Sequence, residues 1–296
     1  MADKTKIEWA DATWTPVRAV SRDGRIGWHC EHVSEGCRGC YAEGINARLG
    51  TRLPYKPGHE RQGDLRVFFD ERIGRQVQRW KRPRFVFVCS MTDLFGAFVP
   101  EDVVDRVYAA MALAPWHTFL VLTKRPERMR DYVRGPHAPG RVWAHVVRAG
   151  GNPNLPWPLP NAYAGTSVEN AATAATRLPE LVATPAPLHF VSAEPLLGEV
   201  SLSHWLEVPR LGWVIAGGES GRGARPMHPD WARLLRDQCD AAGVPFLFKQ
   251  WGEWAPAGPA PITGARGMAR VGKKDAGREL DGRTWDGMPP AAGVSP

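Results

Sequence analysis

The chain has 296 residues, 43% of them hydrophobic, a formal net charge of +7 and only five cysteines. That length and apolar content suffice for the core of one α/β barrel, and no run of about eighteen apolar residues exists to span a membrane. Scarce cysteines and an opening without an apolar leader argue against a secreted disulfide scaffold and lead us to expect a cytoplasmic protein with reduced thiols. The basic charge suits a polyanionic partner such as nucleic acid, and it suits plain solubility equally.

Residues 6–17 favour extended structure and, after a polar turn at 21–25, deliver the chain to a cysteine loop at 28–41. Three of the five cysteines fall there. Six residues separate Cys30 from Cys37 and two separate Cys37 from Cys40, with Gly36 and Gly39 between to let the backbone curl around one centre. Three soft thiolates at this spacing suit an iron–sulfur cluster or a zinc ion. A cluster held by three cysteines leaves one iron open to a ligand, whereas zinc would take His29 or His32 as its fourth donor. Residues 41–49 read as a short helix ending at Gly50, 56–64 as a loop, and 73–80 as a helix stopped by Pro83. Cys89 and Cys239 sit in apolar strand and helix patterns and read as core residues.

From residue 85 one unit recurs. Apolar runs at 85–89, 118–122, 162–165, 188–191, 213–216 and 245–248 are too short for helices and do not alternate, as expected of strands buried on both faces. Helical stretches lie between them, which predicts parallel pairing with right-handed crossovers and an α/β fold closed into a full or partial TIM-type barrel. Asp93, Lys124, Glu169, Glu194, Glu219 and Lys249 each follow or end a different predicted strand, on the rim where barrel sites are built. Six unrelated loop charges on one rim would only add desolvation cost, so the expectation is that they line one pocket facing the cysteine loop. The barrel is expected over residues 1–254, with a Pro/Gly-rich insertion at 135–161 that serves as a lid or as passive surface. Residues 255–296 read as a basic, Pro/Gly-rich tail of loop or partly disordered chain, anchored by Trp285.

Several motifs fall in order along the chain: Ile7-Glu8-Trp9, Thr13-Trp14, the Cys30, Cys37 and Cys40-Tyr41-Ala42-Glu43 set, Asp93-Leu94-Phe95, Leu122-Thr123-Lys124-Arg125, Gly165-Thr166-Ser167-Val168-Glu169-Asn170, Ser192-Ala193-Glu194-Pro195, Gly217-Gly218-Glu219-Ser220-Gly221 and Lys249-Gln250-Trp251-Gly252. With them the chain resembles the phage-encoded three-cysteine-motif proteins, which look like a branch of the radical S-adenosylmethionine enzymes. The resemblance implies that Cys30, Cys37 and Cys40 hold a four-iron four-sulfur cluster (4Fe-4S) whose open iron chelates S-adenosyl-L-methionine. An electron donor such as flavodoxin or ferredoxin would then trigger formation of a 5′-deoxyadenosyl radical that takes hydrogen from substrate. This chain departs from the common motif by having six residues, not three, between its first two cysteines and Tyr41 after the last. The late position of Gly217-Gly218-Glu219 keeps the family's methionine-amine role from being carried onto Glu219. By position, Ser90 and Asp93 are expected at the methionine moiety and Ser167 and Glu169 at the ribose, with Lys124, Arg125, Glu194, Glu219 and Lys249 left to act on substrate. The implied substrate is a nucleotide or a modified base in phage DNA, rearranged, modified or repaired. A non-catalytic zinc or iron–sulfur protein that binds nucleic acid is the alternative from another class.

Overall fold

The computed structural model describes residues 5–152, 154–208, 211–258 and 267–292. Seven parallel strands form its main sheet: β1 (Ala12–Trp14), β5 (Phe85–Val88), β6 (Thr118–Thr123), β7 (Ala162–Ser167), β8 (His189–Ala193), β9 (Leu211–Gly217) and β10 (Phe246–Gln250), hydrogen-bonded in that order. The edges β1 and β10 are not paired with each other, so the barrel is partial. Pairing of β9 with β10 slips between Phe248 and Gln250, a bulge in the last strand. The crossovers carry helices α4 (Glu101–Ala112), α5 (Pro126–Arg134), α6 (Ala138–Arg148), α7 (Ala171–Val182), α8 (Ser203–Leu206) and α9 (Pro229–Ala242).

Residue parity explains the uninterrupted apolar runs. Phe87, Leu120, Tyr163, Phe190, Trp213, Ile215 and Leu247 point into the barrel and, with Trp9, form one buried cluster, where the Trp9 and Phe87 rings lie 4.4 Å apart. Their neighbours Val86, Val88, Phe119, Val121, Val191, Val214, Phe246 and Phe248 face outward and join the helices in a second core. Both faces are therefore dry, as parallel sheets require. Gly165 is needed because a methyl group there would stand 2.3 Å from the Phe190 ring.

Between β1 and β5 the chain makes a small antiparallel sheet, β3 (Ile26–Gly27), β2 (Val17–Ser21) and β4 (Leu65–Phe69), together with α1 (Tyr41–Leu49). The helix expected over 73–80 is two four-residue helices, α2 (Glu71–Gly74) and α3 (Gln76–Arg79). Within the 135–161 insertion, α6 packs on α4: Val142 and Val146 are fully buried one turn apart, and Arg141 Nε donates to Asp105 at 2.7 Å.

The C-terminal stretch is more ordered than a loop reading suggests. An antiparallel pair, β11 (Trp254–Pro256) with β12 (Met268–Arg270), leads through α10 (Lys273–Ala276) to a strap across the amino-terminal end of the barrel. Trp285 O accepts the Phe248 N–H at 2.9 Å, Gly287 O accepts Trp213 Nε1 at 2.8 Å, and Pro290 O accepts the Tyr163 hydroxyl at 2.9 Å. The expectation for 259–266 and 293–296 lies outside the described residues. Among those described, no helix is long and apolar enough to cross a membrane.

Candidate functional site

After Gly27 the chain crosses the carboxyl end of the sheet, turns through a short 3-10 helix at Glu35–Cys37, and enters α1 directly after Cys40. All five cysteines are free, and Cys30, Cys37 and Cys40 line one cavity of about 580 Å³. Ser90, Asp93, Lys124, Ser167, Glu194, Glu219 and Lys249 line the same cavity. Lys124, Ser167, Glu194 and Lys249 continue the inward rows that Leu120, Tyr163, Phe190 and Leu247 begin below. Glu169 differs. It does not line the cavity and is completely buried beneath the loop.

Three rim carboxylates are tied up with arginines. Asp93 accepts Thr123 Oγ1 (2.6 Å) and the Phe95 N–H (3.0 Å) on one oxygen, and the Lys124 N–H and Arg125 Nη1 (both 3.0 Å) on the other. Glu169 pairs with Lys124 Nζ, accepts Arg177 Nη1 at 3.1 Å and accepts Ser34 Oγ at 2.8 Å. Its N–H donates at 2.8 Å to Thr173 Oγ1, the hydroxyl that also takes the Asn170 N–H in the capping box that starts α7, and this fixes its direction. Glu219 takes Arg225 Nη2 on one oxygen at 2.7 Å, and Arg225 Nε (2.8 Å) and N–H (2.9 Å) on the other. Burial alone would raise the Glu169 carboxyl, but Lys124 and Arg177 outweigh it and hold the group below its ordinary range; Arg225 does the same for Glu219.

Two of these arginines also reach the cysteine loop. Arg125 Nη2 donates to Glu31 O at 3.1 Å and Arg225 Nη2 to Glu35 O at 2.9 Å. Thr92 Oγ1 donates to His29 O at 2.5 Å, and the Tyr41 hydroxyl to Ser90 O at 2.6 Å. Arg125, expected to grip substrate, is thus bonded to Asp93 and the loop backbone. Arg177, Arg225 and Ser34 escaped the sequence reading. Their partners lie from 6 to 135 residues away, and one arginine among many carries no local signal.

The pair left facing the cavity is Lys249 Nζ with Glu194 Oε1, 3.0 Å apart, their side chains 19% and 13% exposed. Ser192 Oγ donates to the other Glu194 oxygen at 3.1 Å.

Burial pushes the Cys30 thiol up to about 12, with Asp93 adding to the effect, and burial also raises Cys40. Such thiols ionise only when a cation meets the sulfur, as a bound metal does. The fourth-ligand candidates for zinc are placed elsewhere. His29 is buried against the Tyr55, His59 and Phe98 rings, away from the cavity lining, and His32 Nε2 meets Glu43 at 2.9 Å. Among the described residues no three His, Cys, Asp or Glu side chains are grouped to hold a single metal ion. An all-thiol set on one loop, opening onto a shared cavity, fits a cluster in which each sulfur takes its own iron.

Fold and site together define a partial, parallel α/β barrel with a three-thiol loop over the carboxyl ends of its strands. The chain belongs to the family described as protein of unknown function (DUF5131), whose profile matches residues 4–289. No curated protein matches it. Among solved structures it is similar to spore photoproduct lyase complexed with dinucleoside spore photoproduct, at 12% identity over 80% of this chain and 63% of that chain, with a TM-score of 0.42. A cysteine-to-serine mutant of spore photoproduct lyase gives 12% identity, 82% and 75% coverage and a TM-score of 0.44. A double mutant with bound AdoMet and the dinucleoside photoproduct gives 11%, 80%, 63% and 0.39.

Proposed function

We propose that this chain is a radical S-adenosylmethionine enzyme that modifies or rearranges a nucleotide or a base in phage DNA. One observation carries the reading: three free thiols on one loop and the Glu194–Lys249 pair open into the same cavity of about 580 Å³. Cys30, Cys37 and Cys40 would hold a four-iron four-sulfur cluster, which when bound supplies the electron that breaks the sulfonium bond of S-adenosylmethionine. Ser90 and Asp93, which line the cavity, are assigned to the methionine end and Ser167 to the ribose, while Glu169 would support the loop from behind.

The chain's own residues do the rest. Trp9, Phe87 and Leu122 give the cavity an apolar wall that excludes water. Glu194 offers an acceptor and Lys249 a donor at fixed separation, which suits a substrate edge carrying both, such as a base or an amino-acid-like appendage. Lys124, steadied by Glu169, adds a second cation at the cavity wall. The net charge of +7 suits phosphates, and flavodoxin or ferredoxin suits the electron supply.

Anaerobic reconstitution should load four irons and four sulfides per chain. Reduction in the presence of S-adenosylmethionine should then yield 5′-deoxyadenosine even without substrate. A fully loaded protein that forms none would overturn the proposal, and one zinc without sulfide would point to a metal-binding nucleic-acid protein.

A further inference from the structure

We infer that Glu169, Glu219 and Arg225 are positioning residues that seat the cysteine loop on the barrel through two contacts, one at Gly36 and one at Gly39. A methyl group on Gly36 would stand 2.7 Å from Cγ and Oε1 of Glu169, and one on Gly39 would stand 2.8 Å from Glu219 Oε1. Neither glycine is among the residues with positive φ, so close approach and not backbone conformation requires it. Each carboxylate also holds the loop by a hydrogen bond: Ser34 Oγ donates to Glu169 at 2.8 Å, and Arg225, bound to Glu219, donates to Glu35 O at 2.9 Å. Cys37 lies between the two contacts and Cys40 directly follows the second.

The acids are themselves anchored to the barrel. Glu169 is held at the end of β7 by Arg177, and Glu219 at the end of β9 by three hydrogen bonds from Arg225. The loop therefore takes its place from two strand ends separated by β8. Glu219 and Glu169, which the sequence places among groups that touch substrate or cofactor, act through the loop instead.

This inference rests on the cluster reading only for its consequence in the loaded enzyme, so the decisive test uses the metal-free full-length chain. Maleimide labelling of each cysteine is followed by peptide mass analysis, with Cys239, buried on α9 away from the cavity, as the internal reporter of global opening. Glu219→Ala and Arg225→Ala should each speed labelling of Cys37 and Cys40 by about tenfold or more, as expected when a charged hydrogen-bonded contact is lost locally. Cys239 should stay slow. Gly39→Ala should have the same effect in the wild-type background and add nothing in the Glu219→Ala background, where the colliding carboxylate is gone. Arg225→Lys should not rescue, because an ammonium cannot hold both Glu219 oxygens and Glu35 O at once. After reconstitution, iron content and visible absorbance should fall in the same order as labelling rises. Equal acceleration of Cys239, or wild-type labelling in Gly39→Ala, would overturn the inference. A wild-type chain that binds no iron would sink the enzyme proposal and leave the labelling result standing.

Discussion

Lys249 Nζ meets Glu194 Oε1 at 3.0 Å across the intervening strand β9, whose Gly217 is so close that a methyl group on it would stand 2.7 Å from the same carboxylate oxygen. The pair is thus held open to the cavity by the absence of a side chain. Glu194→Gln or Lys249→Met should leave iron loading and uncoupled 5′-deoxyadenosine formation near wild type, while lowering substrate turnover by at least about 100-fold, as for loss of one preorganised polar contact. Side-by-side assay of the two products checks this. Equal loss of both would place the pair at the cofactor.

The thiols separate into two groups. Single replacement of Cys30, Cys37 or Cys40 by Ser should abolish the cluster's visible absorbance, since a serine hydroxyl does not supply the thiolate that an iron–sulfur cluster takes. Cys239 is fully buried on α9, so Cys239→Ala should keep the cluster and cost roughly 1 kcal/mol in denaturant unfolding. Cluster loss in that variant would show that the ligand set is wrong.

Acid should expose the Glu169 network. Its folded carboxyl lies below the unfolded value of about 4.3, so the stability it contributes is complete above that pH and is lost as pH falls toward the folded value. Glu169→Gln cannot titrate. The stability gap between wild type and variant should therefore be widest near neutrality and narrow steadily below about pH 4.3. Urea unfolding at several pH values measures it, and a gap that stays constant would mean that Lys124 and Arg177 gain nothing from the charge.

Trp285 tests the strap. Its ring meets Phe246 edge-on at 6.1 Å and lies under the Arg283 guanidinium at 3.5 Å. Trp285→Ala should cost about 1–2 kcal/mol, since the ring is only half-buried, and should open the strap to limited proteolysis. Iron loading should not change, because Trp285 packs at the barrel end opposite the thiols.

The barrel was legible because strands buried on both faces write themselves as short unbroken apolar runs: Phe85–Val88 lies within the run at 85–89, and Thr118–Thr123 extends the run at 118–122 by one residue. So was the meeting of Asp93, Lys124, Glu194, Glu219 and Lys249 with the cysteines, which follows once each is known to end a parallel strand. What each charge does there was not legible. Glu169 and Glu219 read like Glu194, and only their arginine partners, brought in by tertiary packing, set them apart. β4, within 65–69, was missed because it joins a small side sheet and not the repeating unit. The helix α6 was obscured by the prolines and glycines that flank it.

The bulge in β10 has a consequence for chemistry as well as for shape. In a strictly alternating strand, consecutive residues diverge, one to each face. Because the register slips between Phe248 and Gln250, Lys249 and Gln250 both border the cavity, while Trp251 rejoins the outer core with Phe248. One strand thereby delivers a cation paired with Glu194 and, beside it, an amide whose Nε2 grips Gly218 O and Ser220 Oγ. A chain shortened by a single residue at this point would keep nearly the same composition, yet the ammonium and the amide would part company, one toward the chamber and the other toward the helices.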